Sequence, residues 1–305
     1  MAYKCALLCM HGMGNLIERD FRKDIAKLKK NISERLSEST MDEIYIPDSG
    51  IFYSSLTQDQ EDAVWEEMEG HGGLNTGILR RNTTNKIRRF ILSGFSDATA
   101  FIGFNGAIAI QQYMKVQNII YAALEDIYTK CGNVPVVIIS QSLGSQILSN
   151  YIWDAQTSNP KNKFNKNINP SSIWHNATPG EKDNFMRLQK LTTWFTTGCN
   201  IPIFVSGFEN VRAIHNRQDG YAFKWFNYYD YDDILGYPLK PLGKLFDGND
   251  SAHGQSYKYA VEDIQVNANN GIGGAITSSW NPMSHTQYWS DKKVLDDLSE
   301  ILKKI

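Results

Sequence analysis

Residues 134–144 read VPVVIISQSLG, and the fold turns on the change of character between Ile139 and Gly144. Val134 to Ile139 is apolar and rich in β-branched residues with no polar alternation, the pattern of a strand buried on both faces of a parallel sheet. From Leu143 to Trp153 the spacing becomes helical, with Ile147, Leu148, Tyr151 and Ile152 on one face. The chain must therefore reverse from strand to helix within Ser140-Gln141-Ser142-Leu143-Gly144. A residue at the centre of such a turn is held in a strained backbone conformation, with its side chain projecting from the carboxyl edge of the sheet. Its neighbours two positions away must be small for the helix to pack close. Ser142 is the candidate nucleophile, with Gly144 after it and Ser140 before it as the small flanking residues. A serine N-cap of the helix explains the same letters, because Ser is favoured where free backbone N–H groups need an acceptor.

Working outward, Lys4 to Met10 is a second apolar run, and it ends in the turn His11-Gly12-Met13-Gly14. A turn of this kind either joins strand to helix or aims backbone N–H groups into a site. In acyl transfer, two fixed donors, here the amides of Met13 and Leu143, would each stabilise a developing oxyanion by a few kcal/mol. Ile17, Phe21, Ile25, Leu28, Ile32 and Leu36 then follow in steps of three and four, an amphipathic helix that covers a sheet. Glu43 to Leu56 reads as a strand region bent at Pro47-Asp48-Ser49-Gly50, and the 56–90 stretch reads as a polar loop.

Residues 91–127 form the most apolar helical stretch, expected as core, as a cap over the site, or as a lid at a membrane interface. Asp97 interrupts it, and the remaining apolar run of about 13 residues is shorter than the roughly 18 to 20 that cross a bilayer. The 154–186 segment is rich in Asn, Pro, Ser and Lys and reads as a surface excursion. Leu191 to Thr197, Lys224 to Tyr229 and Val261 to Val266 read as strands, and Lys292 to Ile305 as an amphipathic helix. Strands alternating with helices predict an α/β fold with a mainly parallel central sheet flanked by helices. With no linker composition anywhere, the expectation is one domain over 1–305, with 57–130 as a cap or lid insertion.

A serine nucleophile needs a base and an acid. The run Trp225 to Leu239 carries a strand into Asp230, Asp232 and Asp233 and then into a Gly and Pro turn. Asp233 is the preferred acid because it stands last, directly before Ile234-Leu235, while Asp230 is suited to end the strand and Asp232 to cap the turn. Of six histidines, at 11, 71, 175, 215, 253 and 285, only His285 gives the chain order Ser, Asp, His with each member on a loop after a strand.

The chain has 305 residues, 42% hydrophobic and 21% charged, enough to bury a full core. Lys and Arg number 31 against 33 Asp and Glu, which leaves no broad basic surface for nucleic acid or anionic membrane. The start, MAYKCALLCM, lacks the pattern of a secretory signal, and Cys5, Cys9, Cys131 and Cys199 show no disulfide framework spacing. Reduced thiols and a cytoplasmic location are expected. No HExxH, CxxC or GxxxxGK motif points to a metal or a bound nucleotide, and Gly271 to Gly274 is a lone glycine run.

Together these segments resemble the α/β-hydrolase superfamily, and within it the serine esterases and lipases. HGMG looks like an oxyanion loop, SQSLG like the nucleophile elbow, and TTGCNIP over Thr196 to Pro202 like the strand end that follows it. DDILGYPL resembles the acid loop and SHTQYW the histidine segment. The departures from the family pattern are Ser140 for Gly or Ala, Gln141 for His and Cys199 for Ser. The resemblance implies the α/β-hydrolase fold and a triad of Ser142, Asp233 and His285. It further implies oxyanion donors at Met13 and Leu143, turn glycines at Gly12, Gly14 and Gly144, and a small-molecule acyl substrate with an apolar acyl group. Neither metal nor organic cofactor is required. The same triad would serve a thioesterase, amidase or acyltransferase, and a non-catalytic binding protein on this scaffold is the alternative of another class.

Overall fold

The structure, a computed structural model, describes residues 2–14, 16–70, 84–101, 107–158, 173–174, 178, 180–214, 223–250, 254–268 and 287–305. Its centre is a six-stranded sheet made of β1 (Cys5–Met10), β2 (Ile44–Tyr45), β3 (Val136–Gln141), β4 (Leu191–Thr197), β5 (Lys224–Tyr229) and β6 (Glu262–Gln265). The spatial order is β2-β1-β3-β4-β5-β6, and every neighbouring pair is parallel. β1 and β3 are paired in register from Ala6 with Val136 to Met10 with Ser140, so the two apolar runs lie side by side and end at the same edge.

Alternation along these strands divides the core in two. Ala6, Leu8, Met10, Val136 and Ile138 face one side, Cys5, Leu7, Cys9, Val137 and Ile139 the other. Two helices cover the second side. In α1 (Glu18–Ser33), Phe21, Ile25, Leu28 and Ile32 are buried, as the spacing predicts, and the C-terminal helix Lys292–Lys304 adds Val294, Leu295, Leu298 and Leu302. On the first side lie Val116, Ile120, Leu124 and Ile127 of the helix Ala107–Cys131, and Ile147, Leu148, Tyr151 and Ile152 of the helix Leu143–Thr157. Each such side chain contributes ~1.5–3 kcal/mol on burial, so the two layers fix the sheet between them.

Several expectations need correction. The 56–90 stretch contains helix α2 (Gln58–Gly70) and the start of α3 (Thr84–Phe101). The polarity of α2 hides it, since its order comes from tertiary pairing: Trp65 is buried, the Arg89 guanidinium lies 5.9 Å from the Trp65 ring, and Arg89 bonds Asp62 at 2.5 Å. The 91–127 stretch is divided between α3 and α4 (Ala107–Cys131), and the latter is a sheet-covering core helix at its C-terminal half. The 43–56 strand region supplies only two residues to the sheet and one further bridge, Met10 with Ile51. The helix expected over Leu143 to Trp153, α5 (Leu143–Thr157), runs four residues further, and the 154–186 excursion also contains buried Trp174, Phe185 and Met186. Among the described residues no helix is long and apolar enough to cross a membrane.

Candidate functional site

The carboxyl edge of the sheet gathers the ends of β1, β3, β4 and β5. Strand β3 stops at Gln141 and α5 starts at Leu143, so Ser142 alone makes the reversal, with φ 51° and ψ −127°. A non-glycine residue in that region costs ~1–3 kcal/mol and persists only where its surroundings hold it. Here the Ser142 N–H donates to Thr197 O of β4 at 2.9 Å, and Ser142 O accepts from Ser145 N at 2.9 Å. The N-cap explanation does not account for Ser142. An N-cap residue is extended and its oxygen accepts from the first helical turn, whereas Ser142 is not extended and makes no side-chain cap bond.

The flanking residues show why the turn needs them small. A Cβ on Gly144 would stand 2.1 Å from His11 O, because the first turn of α5 lies against the end of β1. Ser140 fills the place where glycine or alanine is commoner, and its hydroxyl is not orphaned. It accepts from Trp194 Nε1 at 2.8 Å and is 2.9 Å from the Ser145 hydroxyl. A Cβ on Gly12 would come within 2.8 Å of the Ser142 Cβ, so the His11-Gly12-Met13-Gly14 loop lies directly beside the serine. Gly14 has φ 116°, a conformation that favours glycine. Met13 is lodged against α3, its sulfur 2.4 Å from where a Gly94 Cβ would be. The side chain of Leu143 is buried in the core, which leaves its backbone at the start of α5 beside the serine.

His11 is buried and structural. Its Nε2 accepts from Tyr53 N at 3.0 Å, its Nδ1 lies 2.5 Å from Gly12 O, and its ring stacks on Tyr53 at 4.1 Å between centroids. Burial lowers its pKa to about 4, so it is neutral near pH 7. The other five histidines, including His285, lie outside the described residues, as does the 271–274 glycine run.

The loop expected to carry the acid, with Asp230, Asp232 and Asp233, follows β5. Asp232 is exposed, while Asp230 and Asp233 are buried. The Asp230 carboxylate accepts from backbone N–H groups, Asp232 N at 3.0 Å and Ala268 N at 2.8 Å, and so ties the loop to the chain beyond β6. Asp233 accepts from Leu235 N at 3.0 Å through Oδ1 and from the Tyr288 hydroxyl at 2.8 Å through Oδ2.

Four residues escaped the sequence reading. Asn200 is fully buried, with Nδ2 3.5 Å from Ser142 Oγ and Oδ1 without a hydrogen-bond partner among the described residues. Asp263 on β6 accepts from Asn227 Nδ2, Leu239 N and Lys240 N, which anchors the far end of the acid loop. Tyr288 donates its hydroxyl to Asp233. Asp97, which looked only like a break in an apolar run, is buried beside the HGMG loop. Burial and Glu61 raise its pKa, while the Thr57 hydroxyl and the Gly14 N–H oppose that rise. Asn200 and Tyr288 both stand inside the motifs TTGCNIP and SHTQYW, yet nothing in their spacing distinguishes them from their neighbours.

A pocket of about 130 Å³ opens beside the HGMG loop, lined by His11, Gly12, Met13, Phe90, Gln141 and Trp289 among others. The Cys199 thiol, at the end of β4, is pushed up to about 12 by burial and so is protonated near pH 7. Among the described residues no three His, Cys, Asp or Glu side chains are grouped to hold a metal ion. Compared with protein-family models and with curated proteins, the chain matches none.

Proposed function

We propose that the chain is a serine hydrolase of the α/β-hydrolase fold that cleaves a carboxylic ester, with Ser142 as nucleophile, Asp233 as acid and His285 as base. The observation that carries this reading is the backbone of Ser142, a non-glycine residue held at φ 51° between a buried strand and a helix. A turn that needed no side-chain hydroxyl would place glycine there and avoid the strain. The order of the parallel sheet supports the same reading, since the serine, the oxyanion loop and the acid all follow strands at one edge.

In this mechanism His285 takes the Ser142 proton as the serine oxygen attacks the acyl carbonyl, and the Met13 and Leu143 amides receive the developing oxyanion. The alcohol leaves with a proton from the imidazole, and water then releases the acid. Asp233 orients His285 and favours its charged form. No cofactor enters these steps. The pocket beside the HGMG loop reaches Gln141, the neighbour of Ser142, and is lined by Met13, Leu16, Phe90 and Trp289 together with the charged Asp24 and Lys27. The span 57–130 then divides by role, with α2 and α3 as the cap and the second half of α4 as scaffold.

The test is labelling with a fluorophosphonate probe and location of the adduct by peptide mass spectrometry. An adduct on Ser142 that is absent from the Ser142→Ala variant is the expected result. A folded wild-type protein that takes no label rejects the reading. Ser142 has no exposed surface in the described conformation, so small probes are expected to react faster than bulky ones.

A further inference from the structure

Tyr288 is fully buried, and its hydroxyl stands between the Asp233 carboxylate and the Asp230 backbone. It donates to Asp233 Oδ2 at 2.8 Å and accepts from the Asp230 backbone N–H at 3.0 Å. Gly236 keeps this contact open, because a Cβ there would lie 2.6 Å from Asp233 Oδ2 and 3.0 Å from the Tyr288 oxygen. Tyr288 belongs to a short 3-10 turn, Tyr288–Ser290, whose next two residues line the pocket beside the HGMG loop. It also stands three residues after His285 in the sequence.

Resting on the serine hydrolase reading, we propose that Tyr288 is the positioning residue for the acid: its hydroxyl sets the rotation of the Asp233 carboxylate. The physical reason lies in the geometry of a carboxylate. Its two oxygens accept up to about four donors, and without fixed partners the group rotates freely about its last bond. Leu235 N on Oδ1 and Tyr288 on Oδ2 fix that rotation, and the Asp230 N–H in turn fixes the tyrosine hydroxyl as a donor to Asp233. A phenol with only a packing role would not need its oxygen at this place. Phenylalanine would fill the same volume and bury no polar atom.

The experiment is a double-mutant cycle read by the rate of fluorophosphonate labelling at Ser142, with Tyr288→Phe and Asp233→Asn made singly and together. If Tyr288 acts through Asp233, Tyr288→Phe slows labelling about tenfold in the wild type and has no further effect in the Asp233→Asn background. The titratable groups that face the Tyr288 hydroxyl are Asp233 and Asp230. Removing the donor leaves the Asp233 charge less neutralised and favours the imidazolium, so the acid limb of the labelling rate moves to higher pH. Equal losses in both backgrounds, or a loss with an unmoved acid limb, would show a structural tyrosine and overturn the proposal. So would labelling of Tyr288→Phe at the wild-type rate.

Gly236→Ala separates Asp233 from Tyr288 without altering either, and is expected to reproduce the loss and its dependence on Asp233; it decides the matter if Tyr288→Phe fails to fold. A wild-type protein that is not labelled at all rejects the hydrolase reading and this proposal together, whereas a labelled wild type with an indifferent Tyr288 rejects only the latter.

Discussion

Gly12 stands so close to Ser142 that a Cβ at residue 12 would meet the serine Cβ at 2.8 Å and Gln141 O at 3.2 Å. The loop after β1 and the turn after β3 are thus packed as one unit. Gly12→Ala should push the loop away from the serine at a cost of ~1–3 kcal/mol in stability, with Ser142 labelling reduced at least about tenfold. Gly144→Ala is expected to be harsher, since the clash at 2.1 Å is with the backbone oxygen of His11, which has nowhere to move. Thermal unfolding of the two variants checks the order, and a Gly144→Ala protein as stable as wild type would contradict the packing described.

The three aspartates of the acid loop should separate by consequence. If Asp233 is the acid, Asp233→Asn is expected to reduce turnover by about 10⁴, with a loss of stability as well, since its oxygens accept from Leu235 N and the Tyr288 hydroxyl. Asp232→Asn should be neutral, because the residue is exposed. Asp230→Asn should destabilise the fold, since one carboxylate oxygen that receives Ala268 N or Asp232 N would become an amide nitrogen, and should leave the turnover of the folded fraction close to wild type. Turnover and unfolding measured on all three distinguish these outcomes.

Acid should destabilise the protein through His11. Its pKa is lowered from 6.5 to about 4 by burial, so the unfolded chain binds a proton in that interval that the folded chain refuses. Stability present above about pH 6.5 is lost as pH falls toward 4, by up to ~3 kcal/mol, because each tenfold difference in proton affinity between the folded and unfolded chain is worth about 1.4 kcal/mol. Asp97 acts in the opposite sense. Its raised pKa means that the folded chain holds a proton that the unfolded chain releases, so its contribution declines as pH rises above the ordinary carboxylate range. Asp97→Asn should remove this opposing slope between about pH 4 and about pH 8, and so make the loss of stability through His11 steeper as pH falls.

Thiol reactivity should follow burial. Cys5, Cys9 and Cys199 are buried, with pKa values pushed up to about 12, while Cys131 is partly exposed at about 11. Native protein treated with iodoacetamide near neutral pH should alkylate slowly and at Cys131 first, and all four thiols should react once the chain is unfolded. Rapid modification of Cys199 in the native state would show that the end of β4 is open to solvent.

The physical state of the substrate should separate an esterase from a lipase. For an esterase acting on dissolved substrate, turnover is expected to show no jump when substrate passes from monomer to emulsion. Val64 and Met68 on α2 and Ile91 and Phe95 on α3 are exposed apolar residues, and a sharp rise with emulsified substrate would assign them to a lipid interface instead.

The strands were legible because parallel strands buried on both faces are written as continuous apolar runs. Val136 to Ile139 is such a run, while Leu191 to Thr197 and Lys224 to Tyr229 are read as strands from their β-branched and aromatic residues. The stripe of α1 was legible for a related reason, as one buried face of a helix imposes its period on the sequence. Ser142 was also legible, since a reversal from strand to helix within a few residues requires small neighbours.

Only tertiary structure decided the rest. Whether Ser142 is a strained turn residue or an ordinary cap depends on its backbone angles, which the letters SQSLG do not contain. That Asp230 serves backbone N–H groups while Asp233 meets Tyr288 depends on a partner 55 residues away. The order of α2 rests on Trp65, Asp62 and Arg89, which no local period connects. Local sequence determines which backbone groups pair and which faces are apolar, because those depend on neighbours a few residues apart. The partners of a buried polar atom are set by chain segments that meet only after the sheet has formed, and at this edge of the sheet such partners distinguish one carboxylate from another.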